Sequence, residues 1–262
     1  MNILQFAISG TPFYPHWLEF LKLKQGDERQ YKYFKGKVLE VGCGNGERKA
    51  HVLEVRGKKI TSYLATDHSS WDEIFENFNK RTSMLGVVSR YLFGKSKSAT
   101  SIDDVCDALN IKYKSSSFDT YCAYEVLEHI SEPEQFFKEA SRVLKRGGHC
   151  VLSVPYMYRE HSEGTGFDYF RYTKSCLINL GKKYKLQKVS ITTESYFGTT
   201  IAAATNQYVI RKIMEGPILV KCILFPLSPF IFFLTNVGGY LLDSYDHDER
   251  YATRFHAVYK KV

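Results

Sequence analysis

The chain has 262 residues, of which 44% are hydrophobic and 24% charged. That is the composition of a soluble globular protein with room for one large domain, or for a core domain with an elaboration. The net charge of +8 reads either as a solvated basic surface or as attraction for an anionic partner: a nucleotide, a phosphorylated glycan, RNA or a membrane surface. Six cysteines, none in a C-x-x-C pair, suggest neither a zinc site nor a dithiol motif and point to a reducing, cytoplasmic compartment; the opening MNILQFAISGTPFYPHW lacks the basic start and apolar run of a signal peptide.

Residues 1–34 read as an N-terminal helical cap. From residue 35, short apolar runs alternate with helical patterns. KVLEV at 37–41 is a first strand, followed by a glycine-rich turn and a helix over 47–55. Strand 60–66, helix 71–80, a polar loop at 94–101, a short strand near 102–106 and strands at 118–124 and 149–154 follow. Before the last of these, Ser131 and Glu134 have capping-box spacing, with Pro133 near the first helical position. Phe136, Phe137, Ala140, Val143 and Leu144 share one helical face, and Gly147 and Gly148 supply a left-handed exit. A helix over 173–184, a strand over 186–192 and a final strand over 254–260 complete the pattern. The expected fold is α/β: a doubly wound, Rossmann-like, seven-stranded and mostly parallel sheet with an antiparallel C-terminal strand. It divides into a core at 35–195, an apolar helical insertion at 196–250 and a last core strand at 251–262.

The glycine run Glu40-Val41-Gly42-Cys43-Gly44-Asn45-Gly46 lies between a strand and a helix. Glycines serve where the backbone turns sharply and lies against a ligand, and the helix start offers free N–H groups. Asp67, with His68 beside it, ends the second strand 21 residues beyond Gly46. An acid there accepts hydrogen bonds from both ribose hydroxyls, or else caps a helix. Asp107, beside Ala108, follows the third strand, where an acid can accept from an adenine amino group or simply stabilise a loop. Glu125 follows the fourth, at the carboxyl edge where such sheets bind ligands.

VLEVGCGNG, YLATD, DALNIKYKSSSFDTYCAYEVLEHI and EASRVLKRGG, in that order, resemble the class I S-adenosylmethionine-dependent methyltransferases, in particular the UbiE-like, type-11 group. The resemblance runs from residue 37 to about 156. It implies S-adenosylmethionine as cofactor, with S-adenosylhomocysteine as product. The methionine moiety would lie in the loop of Glu40, Gly42, Cys43, Gly44 and Gly46, the ribose at Asp67 and His68, adenine near Cys106 to Ala108, and Glu125 close to the methionine end. Two other enzymes fit less well. A nicotinamide dehydrogenase prefers G-x-G-x-x-G, but position 47 is Glu; an adenine-N6 methyltransferase carries an NPPY-like element after the fourth strand, where this chain has EVLEH.

After the fifth strand come Pro155-Tyr156-Met157-Tyr158-Arg159-Glu160-His161 and Asp168-Tyr169-Phe170-Arg171-Tyr172-Thr173. They resemble the P-Y-x-Y-x-x-H…D-Y-x-R-Y-T pattern of bacterial methyltransferases associated with surface-glycan or lipid-linked sugar pathways, with Gly164-Thr165-Gly166 where relatives carry a proline before the Asp-Tyr pair. Tyr156, Tyr158, Tyr169 and Arg171 are candidates for binding an acceptor. Arg171 would hold a phosphate, or pair with Asp168 or Glu160. His161 is the first candidate base for an acceptor hydroxyl and His129 the second, each alternatively a hydrogen-bonded structural histidine; Asp168 would orient His161 or bind a hydroxyl. No cluster with metal-ligand spacing is visible, so no metal is expected.

The uncharged run at 223–234 lies in the segment 217–242. It falls short of the roughly 20 residues of a span and contains Pro226 and Pro229, so two short helices are expected. They would dock on the domain, form a homodimer, or lie in a membrane interface. The expected activity is O-methylation of a sugar, a glycolipid or another small acceptor, lipid-linked acceptors included. Quinone-type methylation and a non-catalytic scaffold are the alternatives. No nucleic-acid partner is expected; only the net charge favours RNA.

Overall fold

Strand β1 (Gly36–Val41) lies between β2 (Ile60–Asp67) and β4 (Phe118–Tyr124), and both neighbours run parallel to it. The chain therefore first builds outward on one side, through β2 to the short β3 (Asp104–Val105). It then crosses back to build β4 and β5 (Leu144–Pro155) on the other. The computed structural model describes residues 10–44, 46–68, 102–162 and 166–262. The sheet order is β3-β2-β1-β4-β5-β7-β6, seven strands with β7 (Arg254–Lys261) antiparallel to both β5 and β6 (Leu186–Thr192). This is the expected doubly wound arrangement, with its reversal of strand order between β1 and β4, where such sheets open a crevice at their carboxyl ends.

Helix α1 (Trp17–Gln30) precedes the sheet and α2 (Glu47–Arg56) follows the glycine loop. α3 (Pro133–Val143) buries Phe136, Phe137, Ala140 and Val143 completely against the sheet, the face that the 3.6-residue period marks. Its ends correct two expectations. Glu132 is the N-cap and no side chain caps the helix; Glu134 is instead held by Lys183 and Tyr184, so no capping box forms. At the other end the helix runs directly into β5, and Gly147, with φ +80, lies inside that strand rather than at a helix exit. The last carbonyls, of Arg142 and Val143, accept from the Ser116 and Ser117 N–H groups, which removes the need for a left-handed glycine. The predicted helix at 71–80 and loop at 94–101 lie outside the described residues.

α4 (Lys174–Lys183) begins where the Thr173 side chain accepts from the Cys176 N–H. Between β6 and β7 stands a helical hairpin, α5 (Phe197–Glu215) and α6 (Ile218–Tyr245). The segment 217–242 is thus one helix, not two short ones. Pro229 removes the N–H that would bond the Phe225 carbonyl, and the Ser228 hydroxyl donates to that carbonyl in its place (2.8 Å). Ser228, Phe232, Asn236, Gly239 and Asp243 form the buried stripe of α6. Gly198 and Gly239 let the two helices touch: a Cβ on Gly198 would stand 2.1 Å from the Gly239 carbonyl oxygen. The rest of α6 faces outward, with Ile218, Leu219, Phe230 and Leu234 each about two-thirds exposed or more.

Asp243 is buried and caps α5 from the neighbouring helix, accepting from the Tyr196 and Thr199 N–H groups (3.2 and 3.0 Å) and the Thr199 hydroxyl (2.5 Å). An anion at a helix start is favoured by the free N–H groups there. Replacing Asp243 with Ala would leave these donors buried and unpaired, and is expected to cost about 2–4 kcal/mol. Urea unfolding monitored by circular dichroism reads this as a lower midpoint with an unchanged slope.

Candidate active site

The carboxyl ends of β1 to β5 share one edge of the sheet, and the predicted cofactor residues are strung along it. After β1 the chain turns through Gly42, Gly44 and Gly46, all left-handed (φ +67, +56 and +72). A Cβ on Gly42 would stand 2.3 Å from a Val126 methyl group, so the loop is pressed against the segment that follows β4. Asp67 at the tip of β2 accepts from the Gly44 N–H (2.8 Å) and the His68 N–H (2.7 Å). His68 is exposed, as is Asp107, whose carboxylate orders the turn after β3 by accepting from the Leu109 N–H; Ala108 is buried beside it. Cys43 fills space under the loop; burial pushes its thiol up to about 12, which makes it inert.

Glu40 needs a correction. The sequence groups it with the loop, but its side chain is wholly buried behind it. Arg48 on α2 donates to it (3.0 Å), as does the Tyr63 hydroxyl (2.8 Å). Burial raises the Glu40 carboxyl even beside that guanidinium. Arg48 also donates to Asp27 on α1 (2.9 Å) and lies 3.7 Å from the centre of the Tyr124 ring. Asp27 in turn meets His256 on β7 (3.2 Å).

Next to Tyr124, Glu125 adopts a left-handed backbone, φ +54, a strained state for a residue with a Cβ. Its N–H donates to the Ser153 carbonyl (3.0 Å), and its carboxylate accepts from the Ser153 hydroxyl (2.7 Å). The buried Arg254 approaches it to 3.5 Å and pairs with Glu19 of α1 at 3.0 Å. Burial would raise Glu19, but His16 and Arg254 hold it at about 2.

The loop after β5 is organised by Asp168. Both terminal nitrogens of Arg171 donate to it (2.5 and 2.6 Å), as does the His161 N–H (2.8 Å). The Arg171 bonds hold Asp168 at about 2. Arg171 also donates to the carbonyls of Tyr158, Arg159 and Phe170. Its guanidinium therefore ties the loop together, the ion-pair reading, and does not reach out for an acceptor. Tyr158 is likewise corrected: its hydroxyl is engaged by Gln207 of α5 (2.8 Å), which docks the loop on the hairpin. Tyr156 packs on Phe255, whereas Tyr169 is exposed and stacks on exposed Phe167.

His129, in the 3-10 turn Leu127–His129, and His161, 32 positions later, come together with ring centres 5.0 Å apart. Between them lies Glu128, fully buried, its Oε1 3.7 Å from Nε2 of each ring. Burial raises Glu128; the nearby Glu128 carboxylate raises His161 against the effect of burial, and Asp168 adds to it. The expectation that no metal-ligand cluster exists is corrected here: Glu128, His129 and His161 offer donor atoms all within 4.8 Å of one another. Glu128, Arg48 and Arg254 are the residues that the sequence did not single out. EVLEH carries Glu128 in plain view, but nothing local says that it points inward.

Residues 39–152 match the type-11 family model described as a methyltransferase domain. The chain is similar to a 27-O-demethylrifamycin SV methyltransferase of Amycolatopsis mediterranei (strain S699), 28% identical over 116 residues, which are 44% of this chain and 37% of that protein. It is similar also to a mitochondrial ubiquinone biosynthesis O-methyltransferase of Dictyostelium discoideum, 25% identical over 126 residues, or 45% of this chain and 34% of the relative. The matches thus span little more than a third of these curated relatives. Among solved structures, it resembles a chain from the complex of the Haloferax volcanii Trm112 methyltransferase activator with a methyltransferase. The identity is 15%, the TM-score 0.55, and the coverage 94% of this chain and 89% of the other.

Arg48 balances two buried carboxylates, Glu40 and Asp27. Arg48→Ala would leave both uncompensated and is expected to destabilise the fold by about 3–5 kcal/mol. Thermal unfolding of the purified variant checks this; an unchanged Tm would mean that the pairing carries no weight.

Proposed function

With residues 39–152 forming a class I, type-11 S-adenosylmethionine-dependent methyltransferase domain, we propose that the chain transfers a methyl group to a hydroxyl oxygen of a sugar, a glycolipid or a related small acceptor. The observation that carries this reading is the meeting of two half-sites on one sheet edge. The left-handed glycine loop abuts Val126, and Val126 begins the short stretch that ends in the Glu128–His129–His161 cluster. The chain's own residues fit an adenosyl ligand: a glycine cradle that a Cβ would fill, an acid at the tip of β2, and an exposed acid after β3. Bound there, S-adenosylmethionine supplies an electrophilic methyl on a sulfonium.

The loop N–H groups and Asp67 would hold the methionine end and the ribose hydroxyls, Asp107 the adenine amino group, and Glu125 the side of the crevice nearest the methyl. Methyl transfer needs the acceptor oxygen held in line, which is chiefly a matter of proximity. The Glu128–His129–His161 cluster is the group we assign to activating that oxygen, with Asp168 fixing the His161 ring. The exposed stacked pair Phe167 and Tyr169 offers a flat face beside it, suited to the C–H face of a sugar ring. A quinol ring would use the same face, which keeps the quinone-type acceptor as the second reading. The similarity to an O-methyltransferase supports oxygen as the atom methylated.

The acceptor we favour is lipid-linked. Among the described residues, α6 is the one helix long and apolar enough to cross a membrane, and little of it is buried. Its C-terminal part is held on α5, and the strand after it returns to the sheet. That packing suits a helix lying in the interface, on a protein of net charge +8. The Tyr158–Gln207 bond joins this hairpin to the acceptor loop, so a surface-bound hairpin would bring the crevice to its substrate.

Calorimetric titration with S-adenosylhomocysteine is expected to give micromolar binding, weakened at least about 10-fold in Asp67→Ala, with no binding of NADH. A folded chain that binds neither would sink the enzymatic reading. In sedimentation with anionic vesicles, the protein is expected in the pellet, and a Phe230→Asp, Leu234→Asp double variant in the supernatant. A wild-type protein that stays in the supernatant as a dimer would make α6 a subunit contact instead.

A further inference from the structure

We propose that Glu128, His129 and His161 hold a divalent transition-metal ion, and that this ion takes the acceptor's hydroxyl oxygen as a further ligand. The inference rests on the methyl-transfer reading and deepens it: the two imidazoles hold the activating group instead of acting as the base.

Three independent features of the cluster point to a cation. First, Glu128 is fully buried, and neither carboxylate oxygen has a donor among the described residues within ordinary hydrogen-bond distance. Burying a carboxylate in that state is costly unless a charge compensates it. Second, Oε1 stands 3.7 Å from Nε2 of both histidines. That is too long for hydrogen bonds, yet close to the spacing of donors around a shared ion. Zinc bonds of roughly 2.0–2.2 Å set tetrahedral donor pairs about 3.4 Å apart, so these edges need to contract by only a few tenths of an ångström.

Third, the rings are already turned for ligation. His129 Nδ1 lies 2.5 Å from the Phe167 carbonyl oxygen. His161 Nδ1 lies 3.1 Å from an Asp168 oxygen and 3.3 Å from the Arg159 carbonyl. An Arg171 nitrogen stands 3.4 Å from that Nδ1, but it donates to Asp168 and the Arg159 carbonyl at much shorter range. With each Nδ1 donating its proton outward, each Nε2 presents a lone pair toward Glu128. Metal-bound histidines are held in this way, by a carboxylate or a carbonyl on the far nitrogen.

Two imidazoles and one carboxylate suit zinc, cobalt(II), manganese(II) or iron(II) better than the harder magnesium or calcium. Three protein donors leave positions open for an acceptor oxygen. The hydroxyl's proton, made more acidic by the cation, passes to water. The oxygen then forms its bond to the methyl carbon as the carbon–sulfur bond breaks, and that bond's electron pair stays on sulfur as the thioether. The scheme needs no oxidant or reductant.

The test uses the full chain, stripped of metal by a chelator and titrated with cobalt(II) alone, followed by visible absorption, and with zinc by calorimetry. S-adenosylhomocysteine is titrated in parallel as the control for folding and for the methyl-transfer reading. One equivalent of cobalt should bind, with the visible bands of a low-symmetry N/O site. The affinity should fall more than about 100-fold, beyond the usual effect of losing a supporting contact, in Glu128→Gln, and likewise in His161→Ala. Both variants should still bind S-adenosylhomocysteine; if either fails to fold, His129→Ala replaces it. A chain that binds S-adenosylhomocysteine but neither metal overturns the metal site and leaves methyl transfer standing. Metal binding that the variants abolish, in a chain that does not bind S-adenosylhomocysteine, supports the site and sinks the methyl-transfer reading. Equal metal binding by wild type and variants puts the ion elsewhere and overturns the proposal.

Discussion

The glycine loop depends on a charge held behind it. Arg48 leaves the first turn of α2, passes behind the loop, and meets Glu40 of β1 and Asp27 of α1. The two flanks of the loop are thereby tied to each other, and both are tied to the N-terminal helix. The same guanidinium lies against the ring of Tyr124, the residue before strained Glu125. A buried ion pair adds little net stability, because desolvation offsets most of the attraction, but it penalises any arrangement in which the partners separate. Here the arrangement it enforces is the distance between the ends of β1 and β4, where the crevice opens.

Arg254 repeats this logic on the other side of the crevice. It is buried between Glu19 and Glu125, and so joins the last strand, the first helix and the end of β4. The positive φ of Glu125 persists because its N–H, its carboxylate and this guanidinium all fix it at once. The chain's two terminal regions thus reach the centre of the site through charges, beside the packing of Phe255 on Tyr156. The loop after β5 is built differently, as a ring of hydrogen bonds around Asp168 and Arg171, closed on carbonyls one, twelve and thirteen residues from Arg171.

Much of the sheet was legible because its signals are local. Strands 118–124 and 186–192 fall where alternating apolar runs predict them, and the buried face of α3 follows the helical period residue by residue. Glycines before a helix and an acid at a strand tip also announce themselves by spacing. What stayed hidden depends on where side chains point across long separations. Glu40 adjoins the loop in sequence, but it sits on a strand buried on both faces, so adjacency did not predict its direction. His129 and His161 come from loops on different strands, farther apart than any local ligand motif. Arg171 and Tyr158 looked like substrate binders because their chemistry suits that task; only the geometry reveals that carbonyls and Gln207 have claimed them. The prolines of α6 misled for a similar reason: the Ser228 hydroxyl supplies one of the missing bonds.

The position of β7 also governs the order in which the molecule can assemble. β6 pairs with β7 alone, and β7 separates it from β5. Until residues 254–261 have been synthesised, β6 has no place in the sheet, and Glu19 and Asp27 lack Arg254 and His256. The nascent chain must therefore carry its most apolar helix through synthesis before the site for its supporting strand is complete. Contacts this distant in sequence make for slow closure and for exposed apolar surface in the interim. During that interval α6 would be the segment most in need of a chaperone or a bilayer to shelter it.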